Sequence, residues 1–187
     1  DSINEQVLHN VAHNKYTPIE TLNYLANSED KRTQILVALN PSSPLAVLQV
    51  IAQQGGDPHA RAVTVRNPNM TTEHMDIMSS EFNDEETLEA LAADERASLV
   101  CLSRVHEKAL SIADEYCRCH LLERIAANPS TPPRLLVALA SSMSPTVRML
   151  AARHPHLPPY HLAKAAGGDP ALRNCAAENP LLQRVAG

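Results

Sequence analysis

The chain contains no tryptophan, one phenylalanine and four tyrosines in 187 residues. So few rings leave little material for sites that stack sugars or unpaired bases. The core must be aliphatic, built from Leu, Val, Ile, Ala and Met. Glycine is scarce as well, at five residues. Gly55-Gly56 and Gly167-Gly168 each precede an Asp-Pro pair, so they read as turns between helices rather than phosphate-binding loops. Four cysteines (Cys101, Cys117, Cys119 and Cys175) make no disulfide scaffold. The opening Asp1–Glu5 has no basic stretch followed by an apolar one. The expectation is therefore reduced thiols and a cytoplasmic protein. No apolar run approaches the roughly 18 residues of a membrane span.

What is present is an apolar fraction of 44%, enough for a sizeable core. The net charge of -5 hides an asymmetry. Residues 1–95 carry 5 basic and 15 acidic side chains, whereas residues 96–187 carry 11 basic and 6 acidic. Nine of the acids fall between Glu73 and Glu95, with no Lys or Arg among them. One end of the molecule is thus suited to a charged partner.

A repeat dominates the pattern. Asn-Pro occurs at Asn40-Pro41, Asn67-Pro68, Asn128-Pro129 and Asn179-Pro180, and Asn14-Lys15 and His154-Pro155 join the series. Taking this position as zero, the spacings 14–40, 40–67, 128–154 and 154–179 are 26, 27, 26 and 25 residues. Position +8 holds Leu22, Leu48, Met75, Leu136 and Leu162; position +11 holds Leu25, Ile51, Met78, Leu139 and Ala165. Position -2 is Ala12, Ala38, Val65, Ala126, Ala152 and Ala177. Between 68 and 127 the pattern is read with two defects: a half-unit of 13 residues separates Asn67 from a unit running from Ser80 to His106, with Leu88, Leu91 and Ala92 on its first helix, and the next unit, from 106 to 128, is short at 22.

Each unit reads as two short helices. Thr17-Pro18, Ser43-Pro44 and Thr131-Pro132 predict a hydroxyl N-cap followed by Pro in the first helical position. Asp57-Pro58, Ser144-Pro145 and Asp169-Pro170 predict the same chemistry for the second helix. The residue before each Asn-Pro proline is pushed out of the helical region, which ends that helix. Helices this short need neighbours to bury their stripes. The predicted fold is all-α: a single α-solenoid over 1–187, with a repeat of about 26 residues and an irregular acidic segment at about 68–95.

Val147-Arg148 through His154-Pro155, Leu172-Arg173 through Asn179-Pro180, and Pro132–Ala140 resemble the leucine-rich repeat variant family of bacterial helical-repeat proteins. The resemblance spans nearly the whole chain and is strongest over 121–180. It implies a right-handed superhelix of alternating α and 3-10 helices without strands, although the longer units here leave room for two α-helices each. It implies a binding scaffold and no reaction. The Cys-rich iron-sulfur segment of some members has no counterpart before Cys101.

The chemical candidates are few. Cys117, Cys119 and His120 are weak candidates for a zinc site, since the spacing is tighter than that of closed zinc sites and a fourth ligand must come from elsewhere. Cys175 replaces Leu150 of the preceding unit and reads as a small buried hydrophobe. Asp84, Glu85 and Glu86 follow Asn83 at a helix start, where acids favour the dipole. No enzyme and no cofactor is expected. The expected function is a non-catalytic scaffold that binds another protein. The alternative is a nucleic-acid binder of the HEAT-repeat kind, using a basic C-terminal face. Arg61, Arg148 and Arg173 recur six residues before position zero. The partner-binding candidates are Arg124, Arg134, Arg148, Arg153 and Arg173, and whether they share one face, with Arg184, separates the two hypotheses.

Overall fold

A computed structural model describes residues 2–54, 57–167 and 170–185. These form fourteen helices, all α, and no strand is found among the described residues. The chain divides into two compact units, Asp1–Asp94 and Glu95–Gly187.

The first unit holds α1 (Ser2–His13), α2 (Ile19–Ala26), α3 (Lys31–Leu39), α4 (Leu45–Gln54), α5 (Pro58–Arg66), α6 (Thr72–Glu81) and α7 (Glu85–Ala93). Helices α1, α3, α5 and α7 pack one on the next, and α2, α4 and α6 each lie against a member of that row. The second unit holds α8 (Leu99–Ser111), α9 (Glu115–Ala127), α10 (Pro133–Leu139), α11 (Pro145–Arg153), α12 (Pro159–Ala166), α13 (Pro170–Ala177) and α14 (Pro180–Val185). Here α9, α11 and α13 form the row. The core is aliphatic, as composition requires: Leu22, Leu48, Leu136 and Leu139 are all buried. Cys175 is buried too. The four tyrosines take no part in the core and are 76–79% exposed.

The acidic segment departs from the sequence expectation. Residues 68–95 contain two regular helices, α6 and α7. The proposed unit boundary at Ser80 falls inside α6, and His106 lies in the middle of α8, so neither marks a turn. Asp94 ends α7 at the place where Asn ends the other second helices. Counted from Asp94, Leu102 is at +8, Val105 at +11 and Ala92 at -2, and all three are buried. The seemingly displaced stripe at Leu88 and Leu91 belongs to α7, a second helix. The irregularity lies instead in α8 and α9, which have 13 residues each.

Asparagine at position zero is explained by its donor and acceptor inventory. Its side-chain oxygen accepts from the amide two residues on: Tyr16 N–H to Asn14, Ser42 N–H to Asn40, Asn69 N–H to Asn67, Ser130 N–H to Asn128 and Leu181 N–H to Asn179, all at 2.8–2.9 Å. Its amino group donates twice to the preceding turn. Asn40 reaches the carbonyls of Ala12 and Asn14, Asn67 those of Ala38 and Asn40, and Asn179 those of Ala152 and His154. One acceptor and two donors on a planar group fit this task, and most of these bonds are buried.

The hydroxyls before proline do something other than predicted. Thr17 donates to Val11 O, Ser43 to Val37 O and Thr131 to Ile125 O, so each closes the end of the preceding helix. Helices α2 and α10 start after Pro18 and Pro132 with no side-chain cap. Where proline is missing from that place, Thr71 and Ser98 do cap, accepting from the amides of His74 and Cys101. The second helices behave as expected: Asp57 and Ser144 accept from His59 and Val147, with Pro at the first helical position. Asp30, Asp84 and Asp114 cap in the same way. Asp169 lies outside the described residues, as do Gly55, Gly56 and Gly168.

Candidate functional site

The long helices of the second unit create the site. Helix α8 has 13 residues and α10 has seven. At 1.5 Å per residue, α8 outreaches α10 by about 9 Å. The space left between them is a groove of about 680 Å3. Leu99, Val100, Ser103, Arg104 and Glu107 line it from α8, and Pro133, Arg134 and Ala138 from α10. Leu99 is 57% exposed and Val100 46%, an unusual placing for two adjacent aliphatic side chains at a helix start. A second cavity of about 340 Å3 lies between the far end of α8, the start of α9 and the turn at Ser141–Ser144. His106 borders both. Burial holds the His106 imidazole below the ordinary histidine range, with Glu107 pulling weakly the other way.

The arginines proposed from sequence do not act as a set. Arg148 donates to the carbonyls of Ser142 and Met143 at 2.9 and 2.8 Å, tying α11 to the turn before it. Arg118 does the same from α9, reaching Ile112 O at 2.8 Å. Gln34 does so in the first unit, reaching Ser28 O at 2.9 Å. All three stand four residues after the helix cap, so Arg148 is explained as an internal staple. Arg61, in the same register, is 8% exposed and pairs with Asp84 at 2.8 Å, with its guanidinium 4.6 Å from the Phe82 ring centre. Burial pushes the Asp84 carboxyl up. The Thr87 hydroxyl and amide and the Arg61 guanidinium outweigh it, so the pKa falls below the ordinary carboxylate value.

Arg153 is exposed and pairs with Glu178 at 2.8 Å. Arg124 and Arg134 are exposed, on α9 and α10. Arg173 is exposed on α13. Counted back from position zero, Arg124 stands at -4 while Arg148 and Arg173 stand at -6. Two residues turn a helix by about 200°, so Arg124 projects away from the other two. Arg184 has no described side chain. Of the proposed set, Arg134 lines the groove. Sequence reading missed Leu99, Val100 and Arg104. The signal that could have found them was the 34-residue interval between Asp94 and Asn128, visible only once Asp94 is accepted as a turn residue.

Cys117, Cys119 and His120 all lie on α9 and are half-buried. Residues two apart on a helix do not face each other, so the two thiols cannot hold one ion on the same face. Cys119 lines the smaller cavity. The Tyr116 and His120 rings are nearly parallel, with centres 6.2 Å apart.

Comparison with protein-family models, curated proteins and solved structures finds no match. Among the described residues, no helix is long and apolar enough to cross a membrane.

Proposed function

We propose that the chain is a non-catalytic helical-repeat scaffold, a right-handed α-solenoid of helix pairs similar to the leucine-rich repeat variant proteins. It works in the cytoplasm with its cysteines reduced, and it binds another protein through the groove between α8 and α10. The bonding of successive turns through Asn40, Asn67 and Asn179 supports the stacked-unit reading. The single observation that carries the binding site is the exposed pair Leu99 and Val100 at a groove edged by Arg104 and Arg134. The occupant is a segment with apolar anchors and acidic flanks. Aliphatic side chains fill the groove, and the basic excess of residues 96–187 selects for negative charge.

The nucleic-acid alternative loses its motif, because Arg61 and Arg148 are bonded internally. Duplex DNA is expected to bind no tighter than about 10⁻⁴ M at physiological salt, measured by fluorescence anisotropy. The groove is tested with two synthetic amphipathic helices, one flanked by Glu and one by Lys. The Glu peptide is expected to bind, to weaken with salt, and to be lost on the Leu99→Asp, Val100→Asp double variant. Failure of the Glu peptide to bind, or equal binding of both, overturns the proposal.

A further inference from the structure

One turn of the second unit is built with an imidazole where five counterparts have an amide and Asp94 a carboxylate. His154 stands at position zero and is 5% exposed. Its Nε2 lies 3.0 Å from Asn128 O, and its Nδ1 lies 3.1 Å from the His156 amide nitrogen. The amide can only donate and the carbonyl can only accept, so both partners fix the tautomer. The proton sits on Nε2, and Nδ1 must be unprotonated. Asn67 in the same register makes two donations to the preceding turn, and His154 has one N–H to give.

We propose that His154 is a pH-responsive joint between the turns that follow α9 and α11: protonation at Nδ1 sets two donors against each other and breaks the turn after α11, whose side chain bonds the turn after α9. No other turn of this type among the described residues is built on an imidazole. The turns of Asn14, Asn40, Asn67, Asn128 and Asn179 carry amides, which do not titrate between about pH 5 and 8. The proposal is independent of what the groove binds.

The surroundings offer the imidazolium no compensation. On its own turn the titratable neighbour is His156, whose ring centre is 5.2 Å away in an edge-on arrangement. The facing turn, Ala127–Thr131, contains no ionisable side chain. On α12, His161 packs edge-on against Tyr160. Beside the following turn, whose Asn179 bonds His154 O, stands Glu178, and its carboxylate is held by Arg153 at 2.8 Å. Burial therefore holds the His154 pKa below the ordinary value of 6.5, and His156 adds to the effect; the bond to Asn128 O opposes it. A depressed folded-state pKa means that the unfolded chain takes up the proton first. The stability contributed by neutral His154 is complete above about pH 6.5 and is lost as the pH falls through the folded-state value.

The test is an NMR titration of the full chain, with the thermal midpoint measured at about pH 7.5 and about pH 5.5 for wild type and His154→Asn. The His154 ring is expected in the Nε2–H form, titrating below 6.5. The wild type should lose more of its midpoint on acidification than His154→Asn, which keeps the acceptor and regains a second donor. His156→Ala should shift the His154 titration upward while leaving the backbone amide in place. An Nδ1–H tautomer, a titration at or above 6.5, or an equal acid loss in His154→Asn would overturn the proposal. Should His154→Asn fail to fold, the wild-type titration and tautomer still decide it.

Discussion

Arg61 and Arg148 are the same residue at the same register, four places after a helix cap, and they do different work. Arg61 in the first unit is buried and reaches forward to Asp84, the cap of the next second helix, beneath the ring of Phe82. Arg148 in the second unit is half-buried and reaches back to the carbonyls of its own turn. A guanidinium has five donors and finds the acceptors that burial leaves in need of them. The difference teaches that a cation recurring along a repeat is not by itself a row of contacts for an outside partner. Here two of the three recurring arginines are satisfied from within.

The contrast can be broken by mutation. Arg61→Ala is expected to have the largest effect, about 3–5 kcal/mol in urea denaturation, because it removes the buried guanidinium paired with Asp84 and leaves that carboxylate only its Thr87 bonds. Replacing both partners with apolar residues of similar volume should restore much of that loss. Leu136→Ala, in the second unit, should cost about 2–5 kcal/mol. It opens a cavity against Leu157, Leu162 and Ala176, all buried. Asn67→Ala should cost about 1–3 kcal/mol, mainly by removing the buried bond to Ala38 O, since Asn40 O still accepts from the Ser43 amide. Arg148→Ala should cost only about 1 kcal/mol, through loss of the two bonds that its Nη1 gives to Ser142 O and Met143 O.

The smallest effect sharpens the comparison by pH. Asp30, the exposed cap of α3, has its pKa lowered to about 2 by the Thr33 hydroxyl first and then by His9. Its contribution is complete above pH 3.8 and lost as the pH falls through about 2. The stability gap between wild type and Asp30→Asn should therefore narrow only in strong acid. The His154 effect should set in below pH 6.5, in the other unit.

Much of the fold was legible because the turn residue is chemically demanding. Asn supplies one acceptor and two donors, so its spacing exposed the period and the buried positions +8 and +11. Legibility failed at Asp94, which has no amino group to donate and no proline after it. Leu88, Leu91 and Ala92 then fitted a first-helix stripe as well as a second-helix one, because both have helical spacing. Thr17, Ser43 and Thr131 misled for a related reason. A hydroxyl before proline satisfies the rule for a cap, but it can also donate backward, and a last-turn carbonyl of the preceding helix takes it on its second lone pair. The groove was hidden because helix length, rather than residue type, makes it. Arg134 was singled out for its charge alone, while Leu99 and Val100 look in sequence like ordinary core residues.

The four exposed tyrosines have a practical consequence for anyone following the folding of this chain by light. Their rings already sit in water in the native state, and no indole is present to report a change of surroundings. Intrinsic emission will scarcely register the transition, even though the far-ultraviolet signal of fourteen helices collapses. Phe82, packed beneath the Arg61 guanidinium, is the place to install a single tryptophan as a reporter. Its emission would move to longer wavelength as the ring leaves that half-buried site for water when the first unit opens.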